Sequence, residues 1–212
     1  MSHSSHSMDP RVTEFQCIMP LSNISSVLQH GIVSHEEAAK LQHASIAMDE
    51  VQERRDQKRV PNGLRLHQYA NLYFHARNPM LFKRKSQADE LCVLCVSTQV
   101  AMNPGVVFAD CNASSDYVRF LAPSQWQLLH FDDIFAMDWR HPEDEAAYYR
   151  HRSRKCAEIL VPHRVESRFL IGARVKDAPT GAKLAAMKVP FPIHIDPALF
   201  FIQRSSLARH LG

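Results

Sequence analysis

Glycine is scarce: the 212-residue chain has six, and none falls in a G-x-G-x-x-G or a G-x-x-x-x-G-K-[ST] pattern, which excludes ordinary Rossmann and P-loop nucleotide binding. No G-x-S-x-G is present either, so the common serine-hydrolase elbow is absent. Long apolar runs are lacking. The longest, such as Leu91 to Val96, fall far short of the ~20 residues a membrane-spanning helix needs, and no membrane association is expected. Residues 1–10 read as a disordered lead-in or an appended remnant: Met1 to Ser7 has neither the apolar stretch nor the small-residue cleavage site of a secretory signal. The five cysteines, Cys17, Cys92, Cys95, Cys111 and Cys156, are odd in number and sit in apolar surroundings. They point to a reducing cytoplasm and not to a disulfide framework. Cys92 and Cys95 form a C-x-x-C, but no second pair completes a zinc site, so no metal is expected and the pair reads as part of a buried strand.

What remains is an ordinary globular composition, 45% hydrophobic and 22% charged with twelve prolines, long enough to hold a core without staples. A single domain over residues 11–212 is expected. The net charge of +3 announces no nucleic-acid binder by itself, because local clustering matters more than the sum. Clusters are present at Arg54, Arg55, Lys58 and Arg59, at Lys83 to Lys85, and at Arg150 to Lys155, with Arg164 and Arg168 beyond.

Ser22 is placed to cap a short helix carrying Ile24, Val27 and Leu28, and Gly31 to end it. A second helix is expected over 35–45, then a charge-dense surface segment over 46–60 and a turn at Asn62-Gly63. Tyr69 to Phe74, Leu91 to Ser97 and Gly105 to Ala109 read as strands. A helical stretch from Pro123 to Met137, broken near Asp132, precedes a helix opened by Pro142. Acidic residues lie in that helix's first turn and basic ones in its last, as the macrodipole favours. Of Tyr148 and Tyr149 at its middle, at least one reads as core. Strands over 157–161 and 168–175, a helix over 178–186 and a final pair of strands from Phe191 to Gln203 complete an α+β pattern in which helices lead.

Three polar residues stand in structured context: Arg55, Arg77 and Glu158. A carboxylate that opens an apolar strand, directly after a basic helix end, must sit at the strand's mouth or be paired, since an unpaired buried charge is costly.

Four segments in this order resemble the DarT family, DNA ADP-ribosyltransferase toxins of bacterial toxin–antitoxin pairs. They are Gln52-Glu53-Arg54-Arg55 with Val60-Pro61, then Leu66-His67-Gln68-Tyr69, then Tyr73-Phe74-x-x-Arg77-Asn78-Pro79-Met80-Leu81, and Ala157 to Val161. Ile195 to Phe201 is similar to that family's closing strand. The resemblance runs from about residue 14 to the C-terminus. It implies a compact ADP-ribosyltransferase fold with a mixed or antiparallel β core that takes NAD as substrate, uses no metal, and modifies thymine or guanine in single-stranded DNA. It marks Arg55 and Glu158 as catalytic, the segment 38–57 as a lid over NAD, and the loop 110–157 as the DNA-facing element. Cys17, Ile18 and Met19 fall where the family usually has His-x-Thr, with Gln16 there if the register slips by one. With Arg55, Tyr73, Arg77 and Met80 they form the expected NAD contacts. Lys83, Arg84, Lys85, Arg119, Arg152 and Arg154 are the expected DNA contacts, with Tyr117, Tyr148 or Tyr149 available for stacking. A partner antitoxin that removes the ADP-ribose and a monomeric toxin are implied as well.

The chemistry asks for these residue types. Cleaving the nicotinamide–ribose bond builds positive charge on the ribose, which a carboxylate offsets as in glycosidases. A base nitrogen must lose its proton before it attacks, and Glu158 is placed for both tasks. Arg55 suits phosphate and acceptor orientation, and an unpaired strand exposes the ring nitrogens that a duplex hides. Two alternatives share the fold: an ADP-ribosyltransferase acting on RNA or protein, and a catalytically silent nucleic-acid-binding module.

Overall fold

The computed structural model describes residues 8–41, 55–141 and 143–202. Its centre is an eight-stranded sheet in the order β10-β9-β4-β1-β3-β7-β5-β6. These strands are β1 (Phe15–Pro20), β3 (Tyr69–Tyr73), β4 (Leu91–Val96), β5 (Val107–Ala109), β6 (Phe120–Leu121), β7 (Glu158–Pro162), β9 (Leu170–Val175) and β10 (Ile193–Ile195). Neighbours run antiparallel except β10 beside β9, which is parallel. A separate two-stranded ladder joins β2 (Ile32–Val33) to β8 (Arg164–Val165). Six α-helices with both ends among the described residues accompany the strands: α1 (Ile24–His30), α2 (His35–Ala38), α3 (Pro79–Lys83), α4 (Phe131–Phe135), α5 (Glu145–Arg154) and α6 (Ala178–Ala185).

The sheet is covered on both faces, which is why β4 is buried along all six residues and reads as an unbroken apolar run. Phe15 and Cys17, with Leu72, Leu94, Phe108 and Ile159, form one face, packed under Ile24 and Val27 of α1, Phe131 and Ile134 of α4 and Leu184 of α6. Alternation sends Ile18, Tyr73 and Val93 to the other face, where Leu81 of α3 and the C-terminal Leu199 and Phe200 cover them. Beside them Leu160 and Tyr69 pack on Val60, Leu66 and Ala113.

Local signals in the sequence account for the helix starts. The Asp144 and Asp177 side chains accept the Ala147 and Thr180 amides at the heads of α5 and α6. Asn78, fully buried, accepts from Met80 and Leu81 at the head of α3. Gly31 ends α1 at φ +80°, as its position predicts. The expected α+β class is the class found.

Several expectations need correction. Helices do not lead: β1 precedes them and lies inside the sheet, and its polar Gln16 and terminal Pro20 disguised it. The capping residue of α1 is Asn23, after a 3₁₀ turn over Leu21–Asn23. The stretch 123–137 divides at Leu129 and His130, between a 3₁₀ helix (Pro123–Leu128) and α4. Neither Tyr148 nor Tyr149 is core, because α5 buries no residue. One strand, β10, replaces the expected final pair, since residues beyond Asp196 fold back in turns closed by Phe200 and Ile202 amides on the Pro197 carbonyl. The second helix is described only as α2 with turns to Leu41, and Pro142 and Gln203 lie outside the described residues. No described helix is long and apolar enough to cross a membrane.

Gly31 offers a test of the frame. A Cβ there would lie 2.1 Å from the Val165 carbonyl oxygen, at a positive φ. Gly31→Ala is expected to lower the unfolding free energy by about 2–4 kcal/mol, combining the left-handed penalty with backbone overpacking. Gly105→Ala, also at positive φ but facing only the Pro162 ring at 3.1 Å, should cost about 1–2 kcal/mol. Urea unfolding of the two variants beside the parent checks the difference.

Candidate active site

The sheet register assembles a polar row on the second face. Gln16 is the cross-strand partner of Tyr73, Tyr73 of Glu158, and Ala109 of Glu158, so four strands present these side chains to the same side. β1 and β3 meet in that one pair, whereas β1 pairs with β4 over six positions and β3 with β7 over five. The seam between β1 and β3 is therefore the sheet's least zipped line, and the polar row crosses it.

Glu158 is 2% exposed, and Arg55 beside it 6%. The Arg55 Nη1 donates to Glu158 Oε2 at 2.9 Å and to Oε1 at 3.2 Å. The Ala113 backbone N–H donates to Oε1 at 2.9 Å. A carboxylate has about four lone-pair sites, so these three bonds leave acceptor capacity on Oε2. Burial, with the Glu158 charge next in effect, pushes the Tyr73 phenol well above its ordinary value. Gln16 is fixed from both ends: its carbonyl accepts the Ala76 amide at 2.7 Å and its Nε2 donates to Glu14 at 2.7 Å.

The partner of Glu158 comes from the loop 110–119 that closes the β5–β6 hairpin. Asp110 and Arg119 clamp its neck at 2.6 Å, and Asn112 accepts the amide and hydroxyl of Ser114. Lys58, three residues after Arg55, donates to the Ser115 carbonyl and pairs with Asp116 at 3.2 Å. The same short segment thus carries one cation to the carboxylate and another to the loop above it.

A second buried group stands three residues before Glu158. Lys155 is fully buried at the end of α5, where its Nζ donates to the Ile134 carbonyl at 2.7 Å and lies 3.3 Å from His75 Nδ1. Burial brings Lys155 down to about 7. His75 is lowered to about 4, first by burial and then by the charge of Lys155.

The structure brings Arg55, Glu158, Tyr73 and Ile18 to one side of the sheet. Cys17 and Met19 belong to the opposite cluster, and burial raises the Cys17 thiol to about 12, so only the backbone of these two faces the row. Arg77 donates to the Ala198 carbonyl and stacks 4.2 Å from the Phe201 ring centre. Met80 packs at the margin of the cluster holding Tyr73 and Cys156. Among the expected DNA contacts, Arg119 is tied to Asp110, Arg154 to Asp133 at 2.7 Å, Arg152 lies over Tyr148, Lys85 over Phe82, and Arg84 against Met80 Sδ. Lys83 ends α3. Tyr117 stands 92% exposed on the 110–119 loop. Gln52 to Arg54 and most of the expected lid fall outside the described residues. Cys92 and Cys95 lie on opposite faces of β4, three positions apart, and among the described residues no group of histidine, cysteine or acidic side chains is arranged to hold a metal ion. Sequence reading missed Ala113, whose signal is only the small polar run Asn112 to Ser115, and Lys155, which looked like one more helix-end cation.

A family model described as ssDNA thymidine ADP-ribosyltransferase, DarT, matches residues 17–201. A DNA ADP-ribosyl transferase of Thermus sp. (strain 2.9) is 30% identical over 165 residues, covering 72% of this chain and 76% of that protein. A DNA ADP-ribosyl transferase–DNA ADP-ribosyl glycohydrolase fusion protein of Thermosipho africanus (strain H17ap60334) is 27% identical over 206 residues, 92% of this chain. The chain spans about half the length of that relative, 51%. Among solved structures, Thermus sp. 2.9 DarT with ADP-ribosylated ssDNA superposes at TM-score 0.78 with 24% identity, covering 91% of this chain and 98% of the other. The same protein with NAD+ gives 0.74 and 22%, over 90% and 98%. These structures share the fold described above.

The buried base pair His75 and Lys155 predicts a pH dependence of stability. Both groups hold their protons less well folded than unfolded, so the unfolded chain binds more protons between about pH 4 and 6.5 for His75 and between about 7 and 10.5 for Lys155. Stability from these groups therefore rises with pH through both windows. Lys155→Met should flatten the increase between pH 7 and 8.5 and shrink the lower limb without abolishing it, because His75 loses the Lys155 charge but keeps its burial; urea unfolding at each pH measures both.

Proposed function

The chain belongs to the DarT family, and from that premise we propose that it transfers ADP-ribose from NAD onto thymine in single-stranded DNA, releasing nicotinamide. The observation that carries the reading is the buried Arg55–Glu158 pair with acceptor capacity left on Oε2. The family description names thymidine, which favours thymine over guanine as the acceptor. NAD+ and ADP-ribosylated ssDNA occur in complexes of the Thermus relative, and the fusion with a glycohydrolase in the Thermosipho relative supports a toxin whose partner removes the modification. On this reading the protein works in the cytoplasm, as a monomer.

The bond between the nicotinamide nitrogen and the ribose C1 breaks, its electron pair leaving with nicotinamide, and a bond from a thymine ring nitrogen to C1 replaces it. Glu158 holds a ribose hydroxyl through the open Oε2 site and offsets the charge that develops on the ribose, an interaction that strengthens toward the transition state. The same carboxylate then receives the proton that the thymine nitrogen gives up. Arg55 keeps Glu158 in place and presents its remaining N–H groups to phosphate or acceptor. Ile18, Tyr73, Arg77 and Met80, with the backbone of Cys17 and Met19, line the NAD side. Lys83, Arg84, Lys85, Arg119, Arg152 and Arg154 attract the DNA backbone, and exposed Tyr117 is free to stack on a base.

Labelled NAD incubated with single-stranded DNA, RNA or protein, followed by mass spectrometry of the labelled product, tests the assignment. Label on thymine of DNA is expected; label only on RNA or protein would refute it. Glu158→Gln should slow transfer about 10²–10⁴-fold with NAD affinity nearly unchanged, because the carboxylate acts on charge that appears in the transition state. Arg55→Ala should weaken both NAD binding and turnover. Calorimetric NAD titration beside single-turnover rates separates the two patterns.

A further inference from the structure

The eight-stranded sheet consists of two halves that meet at one weak seam. On one side lie β10, β9, β4 and β1, on the other β3, β7, β5 and β6, and the ladder across the seam has the single pair Gln16 and Tyr73. Among the described residues, Cys17 to Met19 pair with β4 on one side and have no ladder partner in β3 on the other. The walls assigned above to NAD are divided by this seam. Ile18 and the backbone of Cys17 and Met19 belong to the β1 half; Tyr73, Arg77 and Met80 follow from the β3 half. The space between the walls therefore depends on what else crosses the seam.

A side-chain bridge does so. Gln16 is buried, and its amide is spent on protein groups: the carbonyl accepts the Ala76 N–H at 2.7 Å and Nε2 donates to Glu14 Oε1 at 2.7 Å. Ala76 stands between Tyr73 and Arg77, so the bond lands inside the opposite wall. Glu14 is held in turn by β9, whose Arg174 Nε donates to the same Oε1 at 2.9 Å while Nη1 donates to Asp196 Oδ2 at 3.2 Å. Asp196 Oδ1 accepts the Leu199 amide at 3.1 Å, and the preceding Ala198 carbonyl accepts from Arg77. The circuit closes on consecutive residues, Ala76 and Arg77. Its Gln16 position must accept from a backbone N–H and donate to a carboxylate at once, which a neutral side-chain amide does and a carboxylate or an ammonium does not.

We propose that Gln16, oriented by Glu14, is a positioning residue for NAD: it bridges the seam and holds the β1 and β3 walls at the separation the dinucleotide needs, without touching the reacting atoms. The proposal rests on the NAD-dependent transfer proposed above and adds to it a determinant of NAD affinity separate from Glu158. Without the bridge the seam opens, and apparent affinity falls by the fraction of molecules in which it is still closed. Glu158 keeps its own bonds from Arg55 and Ala113, so the complex loaded with NAD turns over much as before.

Gln16→Met, which keeps the length of the side chain and neither bond, tests it. By calorimetric titration the Kd for NAD should rise roughly five- to fifty-fold, as for one buried amide left without its acceptor. The single-turnover rate at saturating NAD should stay within about twofold of the parent, the split expected of a residue that acts on binding alone. Hydrogen exchange at the Ala76 amide should quicken in this variant and slow again when NAD is added. Gln16→Glu sets a second carboxylate against Glu14 and should weaken NAD binding at least as much. In the double variant Glu14→Gln/Gln16→Glu the donor and acceptor ends change places, and affinity should return to within about threefold of the parent, a coupling that independent sites do not show. This exchange decides the matter should Gln16→Met unfold at the assay temperature. Parental NAD affinity in Gln16→Met, or a double variant no better than Gln16→Glu, would overturn the bridge and leave the transferase reading intact. A parent protein that binds no NAD would instead overturn the function itself, and the bridge with it.

Discussion

One buried ion pair organises this molecule. Glu158 and Arg55 are both removed from water, and in a low-dielectric interior neither is tolerable without the other: deleting one partner of such a pair typically costs about 3–5 kcal/mol. The pair joins residues 103 positions apart in sequence. A third segment is tied in through the Ala113 amide, and a fourth contact, Lys58 to the Ser115 carbonyl, fastens the loop to the segment that bears Arg55. Chemistry and fold are thus coupled. The site cannot be loosened without leaving an uncompensated charge beneath the sheet.

The two faces of the sheet divide the labour. One is apolar throughout, closed by α1, α4 and α6, and it absorbs cysteines whose thiols burial makes inert, Cys17 at about 12 among them. The other accepts polar groups, but only where register and partners supply hydrogen bonds: Gln16 to the Ala76 amide, Glu158 to Arg55 and Ala113. Strand alternation explains why a cysteine at the position expected to contact NAD does not prevent the site from forming. Its side chain faces the apolar side, and the residue that shares the row is its neighbour Gln16.

That neighbour marks the limit of what the sequence could show. Apolar runs such as Leu91 to Val96 and a carboxylate opening an apolar strand are local signals: the first is β4 and the second is found buried with a partner. β1 was not legible. Phe15 to Pro20 is short, interrupted by Gln16 and ended by a proline, and it is a strand because β4 pairs with it along its whole length. Nor could composition tell that Arg55 meets Glu158, since a contact between segments 103 positions apart is a tertiary property; the family resemblance marked both residues as catalytic. Ala113 was invisible for a simpler reason: it contributes a backbone amide, which every residue but proline possesses. The Tyr148–Tyr149 pair failed the other way, because aromatic residues in mid-helix suggest core, whereas α5 is a solvated helix.

Lys155 shows how the strand start is held. Four consecutive residues, Lys155 to Glu158, are all buried, and the two charged ends face different partners: the Ile134 carbonyl and His75 at one, Arg55 and Ala113 at the other. A chain that turns from helix to strand within so few residues has little freedom once both ends are bonded. Lys155 also brings His75, two residues from Tyr73 and from Arg77, into contact with the end of α5. The junction of β3 with α3 and the junction of α5 with β7 are therefore locked together. Those two junctions carry Tyr73 and Glu158, cross-strand partners in the sheet, so a displacement of either helix must be felt at the carboxylate.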